Sequence, residues 1–187
     1  MSDKNDRTRV LVEIGLVIAL AAVLNMLKVW RMPQGGTVSL AMLPLFVLAI
    51  RRGPAVGIAA GAIYGVLDFF IDPYPPVHWA QYILDYPLAY AACGLAGVVR
   101  PLWRRFSTRP GVAMAAAAGG IILGSLARYA AHVASGVVFF AEYAGGPVLA
   151  YSLGYNMYVL ISAVACIVAA LLILPTLERA QPSSEAL

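Results

Sequence analysis

Apolar runs, separated by charge clusters and by Pro/Gly breaks, divide the chain into six segments: Val10–Val29, Val38–Ile50, Pro54–Ile71, Val77–Val99, Val112–Phe140 and Val148–Leu174. A helix needs about 20 apolar residues to cross roughly 30 Å of hydrocarbon, so the pattern predicts an all-α integral membrane protein, a single bundle of six transmembrane helices. The second segment is short and follows Met32-Pro33-Gln34-Gly35-Gly36. An irregular or re-entrant passage is expected there, and such backbone must be buried or line a cavity. The first segment contains Glu13 and lacks a convincing small-residue cleavage site, so it reads as a retained helix rather than a leader. The expected organisation is an N-terminal segment at 1–9, a six-helix membrane domain at 10–175, and a polar tail at 176–187.

Composition agrees with lipid as the solvent: 61% of the residues are hydrophobic, 12% are charged, and mean hydropathy is +0.81, outside the soluble range. The net charge of +4 is unevenly placed. Lys4, Arg7 and Arg9, then Arg51 and Arg52, then Arg100, Arg104, Arg105 and Arg109, and finally Arg179 occupy one set of connections. By the positive-inside rule these face the cytoplasm and put both termini inside. The opposite connections carry Lys28, Arg31, Asp68, Asp72 and Glu142. The charge therefore reflects topology rather than nucleic-acid binding. Cys93 and Cys166 lie in apolar segments without motif spacing and read as packing residues.

The third segment places Gly53, Gly57, Gly61 and Gly65 on one helical face, where another helix can approach closely. Gly15 and Ala19 form a similar small-residue pair on the first helix, facing either a neighbour in the chain or another subunit. Ionisable groups inside a membrane are costly unless they face a cavity or each other, which singles out Asp85, Arg128 and His132. Gln81 and Asp85 share a face, with Tyr82 and Tyr86 alongside. On the fifth helix Gly120, Gly124, Arg128, His132, Gly136 and Phe140 step by four, a stripe suited to walling a pocket. Asp85 and Arg128 also suit a purely structural ion pair, and Tyr143, Tyr151 and Tyr158 also suit an interfacial aromatic belt. Asp72 and His78 lack a third ligand, so no metal site is read there.

Three polar blocks stand out: Met32-Pro33-Gln34-Gly35-Gly36, Gln81 to Ala89, and His132 to Phe140 followed by Tyr151-Ser152-Leu153-Gly154-Tyr155-Asn156. Together with Arg51-Arg52-Gly53 and Gly94-Leu95-Ala96-Gly97, they resemble the thiamin-specific S-component family of energy-coupling factor importers over nearly the whole chain. The resemblance implies a six-helix S-component fold in a prokaryotic cell membrane, with a pocket near the outer side closed by the loop between the first two helices. It implies binding without catalysis and without a cofactor, thiamin being the cargo. The family's acid on the fourth helix maps to Asp85, a Glu in other members, and its basic residue and histidine map to Arg128, a Lys elsewhere, and His132. Its close-approach glycine maps to Gly136 and its stacking aromatic to Phe140, a Trp in some members. Tyr151 and Asn156 match on the sixth helix, and Tyr64, a Trp elsewhere, and Tyr74 match on the third helix and the loop after it. The resemblance further implies a transmembrane T-component, docking on Gly15 and Ala19, and two cytoplasmic ATPases.

These residues suit thiamin. A thiazolium cation calls for a carboxylate and electron-rich ring faces, and an aminopyrimidine calls for stacking together with donors and acceptors such as His132, Asn156 and Tyr151. The chain has no G-x-x-x-x-G-K-[ST] phosphate loop, so a P-loop ATPase must lie on partners. The same fold carrying a thiamin precursor or another vitamin is the nearest alternative. An intramembrane enzyme or proton relay through Asp85, His132 and Arg128 is a second, without a G-x-S-x-G nucleophile motif to support it. A structural subunit whose polar residues only fix helix register is the third.

Overall fold

A computed structural model describes the backbone of residues 2–180 and the side chains of residues 6–177. The side chains of Lys4 and Arg179, and the tail beyond Ala180, lie outside the described residues. The architecture is helical: α1 (Ser2–Met26), a hairpin of β1 (Trp30–Arg31) and β2 (Thr37–Val38), α2 (Met42–Arg52), α3 (Pro54–Ile71), α4 (Trp79–Arg105), α5 (Pro110–Phe139) and α6 (Val148–Leu177). Helix α1 begins at Ser2, within the stretch expected to precede the bundle.

Among the described residues five helices, not six, are long and apolar enough to cross a membrane, and α2 is the exception. Two features of the chain explain it. The Gly/Pro-rich stretch ahead of α2 is consumed by the hairpin, in which Trp30 pairs with Val38 and Arg31 with Thr37. Gly35 (φ 81°) and Gly36 (φ 79°) turn the chain through the left-handed region. The remaining eleven residues of α2 run through the middle of the bundle, with Leu45, Phe46, Ala49 and Ile50 fully enclosed. Its apolar surface thus meets protein on nearly every side. The long helices instead turn residues such as Leu16, Leu20, Ile63, Leu126, Val164 and Leu172 outward, as a lipid solvent requires.

Helix α4 bends twice for local reasons. Pro87 has no N–H to donate and its ring crowds the preceding turn, and the chain passes it in a π-helical turn at Leu84–Leu88. A tighter 3-10 stretch at Gly94–Val99 then leads into Arg100–Arg105, where Pro101 occupies the first turn and costs no hydrogen bond. The helix therefore runs on to Arg105, past the expected end at Val99. Helix α6 breaks at Asn156, between Val148–Tyr155 and the segment starting at Met157.

The glycine face of α3 does what its spacing predicts. Gly57 packs on Gly94, Gly61 on the Tyr90 carbonyl and Gly65 on the Tyr86 carbonyl, so α3 and α4 meet backbone to backbone. At the opposite end from the hairpin, Arg52 donates to both Glu13 carboxylate oxygens (2.7 and 2.6 Å), which ties α1 to the end of α2. Elsewhere α1 is peripheral: Gly15 and Ala19 are exposed, and nothing lies within 4 Å of where a Gly15 Cβ would be.

Candidate functional site

At the hairpin end of the bundle, α3, α4, α5, α6 and the hairpin enclose a cavity of about 800 Å³, counting its open mouth. Asp85 sits in the π-helical turn. Its Oδ1 lies 3.0 Å from His132 Nδ1, and its Oδ2 accepts from the Ser135 hydroxyl at 2.7 Å. The Arg128 Nε–H donates to His132 Nε2 at 3.3 Å. A guanidinium can only donate, so Nε2 is the acceptor and the imidazole proton sits on Nδ1, pointing at Asp85. The chain of donors thus runs Arg128 to His132 to Asp85, with a neutral imidazole between two charges.

The direct ion pair between Arg128 and Asp85 that the sequence allowed does not form among the described residues. The Arg128 guanidinium instead lies 3.8 Å from the centre of the Tyr90 ring, a cation–π contact that holds the charge where little water reaches it. Among the described residues the Asp85 carboxylate therefore has no lysine or arginine paired with it.

Aromatic rings surround that carboxylate. Tyr74 and Phe140 face across the mouth with ring centres 6.2 Å apart, and the Tyr86 hydroxyl accepts from the Tyr74 amide at 3.1 Å, fixing the loop after α3. Tyr151, Tyr155 and Tyr158 line the α6 side. Asn156 donates its amide N–H groups to Ser152 O (2.9 Å) and His132 O (3.3 Å), which leaves its oxygen as the group available to a ligand. Gly136 is where α5 and α6 touch, since a Cβ there would collide with the Ser152 hydroxyl.

Of the residues expected at the site, Asp85, Arg128, His132, Gly136, Phe140, Tyr151, Asn156, Tyr74 and Tyr86 all line the cavity. Tyr64 does not reach the lining. It is fully buried behind the cavity, donating to Asp68 Oδ1 at 3.0 Å and meeting Tyr90 edge-on. Asp68, assigned from sequence to an outer connection, is a buried residue of α3 that lines the cavity and accepts from Asn25 Nδ2 at 2.8 Å. A signal for it was present: Gly61, Tyr64, Gly65 and Asp68 share one face at helical spacing. Asp72 does lie at the mouth, paired with Lys28 (2.7 Å) and Arg31 (3.1 Å). His78 Nδ1 accepts the Ala80 N–H at 3.1 Å and caps α4. Outside the spans, Glu142 raises the neighbouring Tyr143 hydroxyl above the ordinary tyrosine range.

Tyr155 holds the hairpin over the cavity: its hydroxyl accepts from Gln34 N (2.9 Å) and donates to Gly35 O (3.0 Å). Tyr155→Phe removes both bonds. Amide hydrogen exchange across residues 32–37 is expected to speed up while α2 stays protected, at a stability cost of about 1–2 kcal/mol. Unchanged exchange in the hairpin would show that the hydroxyl does not hold it.

The fold and the cavity define a multi-pass helical membrane protein that encloses a polar, aromatic-lined chamber for a small solute. Its family follows from comparison. A family model described as "Thiamine transporter protein (Thia_YuaJ)" matches residues 11–182, and the chain belongs to that family. It is 36% identical over 183 residues to thiamine transporter ThiT of Bacillus subtilis (strain 168), covering 94% of this chain and 95% of the relative. It is 31% identical over 154 residues to ThiT of Lacticaseibacillus paracasei, covering 79% and 77%. A solved structure of ThiT from Listeria monocytogenes superposes with a TM-score of 0.80 at 28% identity, covering 95% of this chain and 97% of that one. The role these relatives carry is transport, not enzymatic catalysis.

Proposed function

We propose that the chain is the thiamin-binding S-component of an energy-coupling factor importer, a six-helix bundle that captures thiamin outside the cell. A transmembrane T-component and two ATPases would deliver the cargo. The observation that carries the reading is Asp85: a carboxylate oriented by His132 and Ser135, with no lysine or arginine paired to it among the described residues, in a cavity lined by aromatic residues. Such a site selects a flat organic cation. In this reading the thiazolium lies against Asp85, the aminopyrimidine stacks on Phe140, and Tyr151, Asn156 and His132 meet its polar edge. No cofactor takes part.

Orientation follows the charges. The end opposite the chamber carries Arg51, Arg52, Arg100, Arg104, Arg105 and Arg109 and belongs in the cytoplasm, with both termini. The chamber then opens outward. The exposed face of Gly15 and Ala19 on α1 is the place for the T-component, because a helix there meets no side chain to displace.

Calorimetric titration of the detergent-purified chain with thiamin, with riboflavin and biotin as controls, tests the assignment. Saturable heat with thiamin alone is expected. Silence with thiamin from a monodisperse sample would remove it as the ligand and turn the search to thiamin precursors and other vitamins.

A further inference from the structure

The turn of the hairpin carries a polar group that no described residue uses. Gln34 lines the chamber, and its side-chain oxygen Oε1 is buried without a hydrogen-bond partner. The main chain around it is fixed on both sides. Its own N–H and the Gly35 carbonyl are bound to the Tyr155 hydroxyl. A Cβ on Gly35 would stand 3.1 Å from Tyr74 Cβ, and one on Gly36 would stand 2.6 Å from Tyr158 Cζ, so the turn is wedged between two chamber walls. A buried acceptor left unpaired costs stability until a donor reaches it. Here the tethered backbone keeps Gln34 in the chamber wall.

We propose that Gln34 is a specificity residue for the carried ligand, its amide oxygen accepting a hydrogen bond from a neutral N–H or O–H donor of that ligand. The inference rests on the thiamin reading, under which the ligand offers two such donors, the aminopyrimidine amine and the hydroxyethyl hydroxyl. Asp85 and Gln34 then divide the work of recognition. A carboxylate attracts any cation that fits, whereas a neutral buried acceptor rejects an analogue of the same shape that lacks the donor, because its own oxygen stays unpaired.

The test titrates the full chain and the variants Gln34→Ala and Gln34→Glu with three ligands, and records each protein's ligand-free Tm. The ligands are thiamin, an analogue with the amine replaced by a carbonyl oxygen, and an analogue with the hydroxyl replaced by hydrogen. Gln34→Ala is expected to bind thiamin about tenfold more weakly. Its penalty should vanish for whichever analogue lacks the contacted donor, which identifies that donor. Gln34→Glu keeps an acceptor in place and should retain most of the affinity. The ligand-free Tm of Gln34→Ala should be no lower than that of the wild type, since Oε1 loses no partner. Unchanged thiamin binding by Gln34→Ala, or an equal penalty for all three ligands, would overturn the inference and leave the transport reading standing. A wild type that binds no thiamin would overturn both.

Discussion

Asp85→Ala is expected to lower thiamin affinity about a hundredfold or more while the protein stays folded. Inside a partly closed chamber, removing one partner of a charge pair costs roughly 2–5 kcal/mol, because the other charge is left without compensation. The Asp85 side chain is 17% exposed and that of His132 is 7% exposed, so water can replace little of what the carboxylate supplies. The Arg128 charge nearby makes the loss worse, because Asp85 no longer offsets it on the His132 side of the chamber. Asp85→Asn separates charge from shape. It retains an oxygen for His132 Nδ1–H and fills the same space, yet should still bind at least about tenfold more weakly. Circular dichroism and the ligand-free Tm check the fold. If a folded Asp85→Asn protein bound thiamin as the wild type does, charge recognition at Asp85 would be the wrong account of this chamber.

The sequence displays the helices well and the chamber unevenly, for physical reasons. Lipid-facing helices must be apolar along a full crossing, so α1, α3, α4, α5 and α6 announce themselves by length. Helix α2 announces itself poorly because it is sheltered by protein and needs neither the length nor a lipid-facing side. On α5 one continuous helix carries the site residues, and periodicity places Arg128, His132 and Gly136 together. The π-helical turn shifts the register at Asp85, and the partnership it sets up, with His132 and Ser135 rather than Arg128, depends on which rings surround each group. Tyr64 and Asp68 show a further gap: they share a face, but sequence does not reveal how deep that face lies. Asp68 is drawn inward by Asn25 from α1, a residue 43 positions away. Membership of the family could be read from the polar blocks, because they are contiguous in the sequence whatever depth each side chain occupies.

Gly65→Ala is the second substitution with a large expected effect, although it adds only one methyl group. A Cβ at Gly65 would stand 2.6 Å from the Tyr86 carbonyl carbon and 2.7 Å from Pro87 Cα. These are backbone atoms of the π-helical turn and have no rotamer through which to give way. Either α3 and α4 separate or the turn shifts, and both cost packing. Overfilling of this kind destabilises by about 1–3 kcal/mol. The turn carries Asp85 and Tyr86, so the injury should extend to function: thiamin affinity should fall together with Tm, even though Gly65 itself does not line the chamber. Gly119→Ala is the control. It sits within α5 with nothing within 4 Å of its added Cβ, and replacing a mid-helix glycine by alanine should leave Tm unchanged or raise it. If Gly65→Ala matched Gly119→Ala in both Tm and affinity, the close contact between α3 and the π-helical turn would not be what holds Asp85 in place.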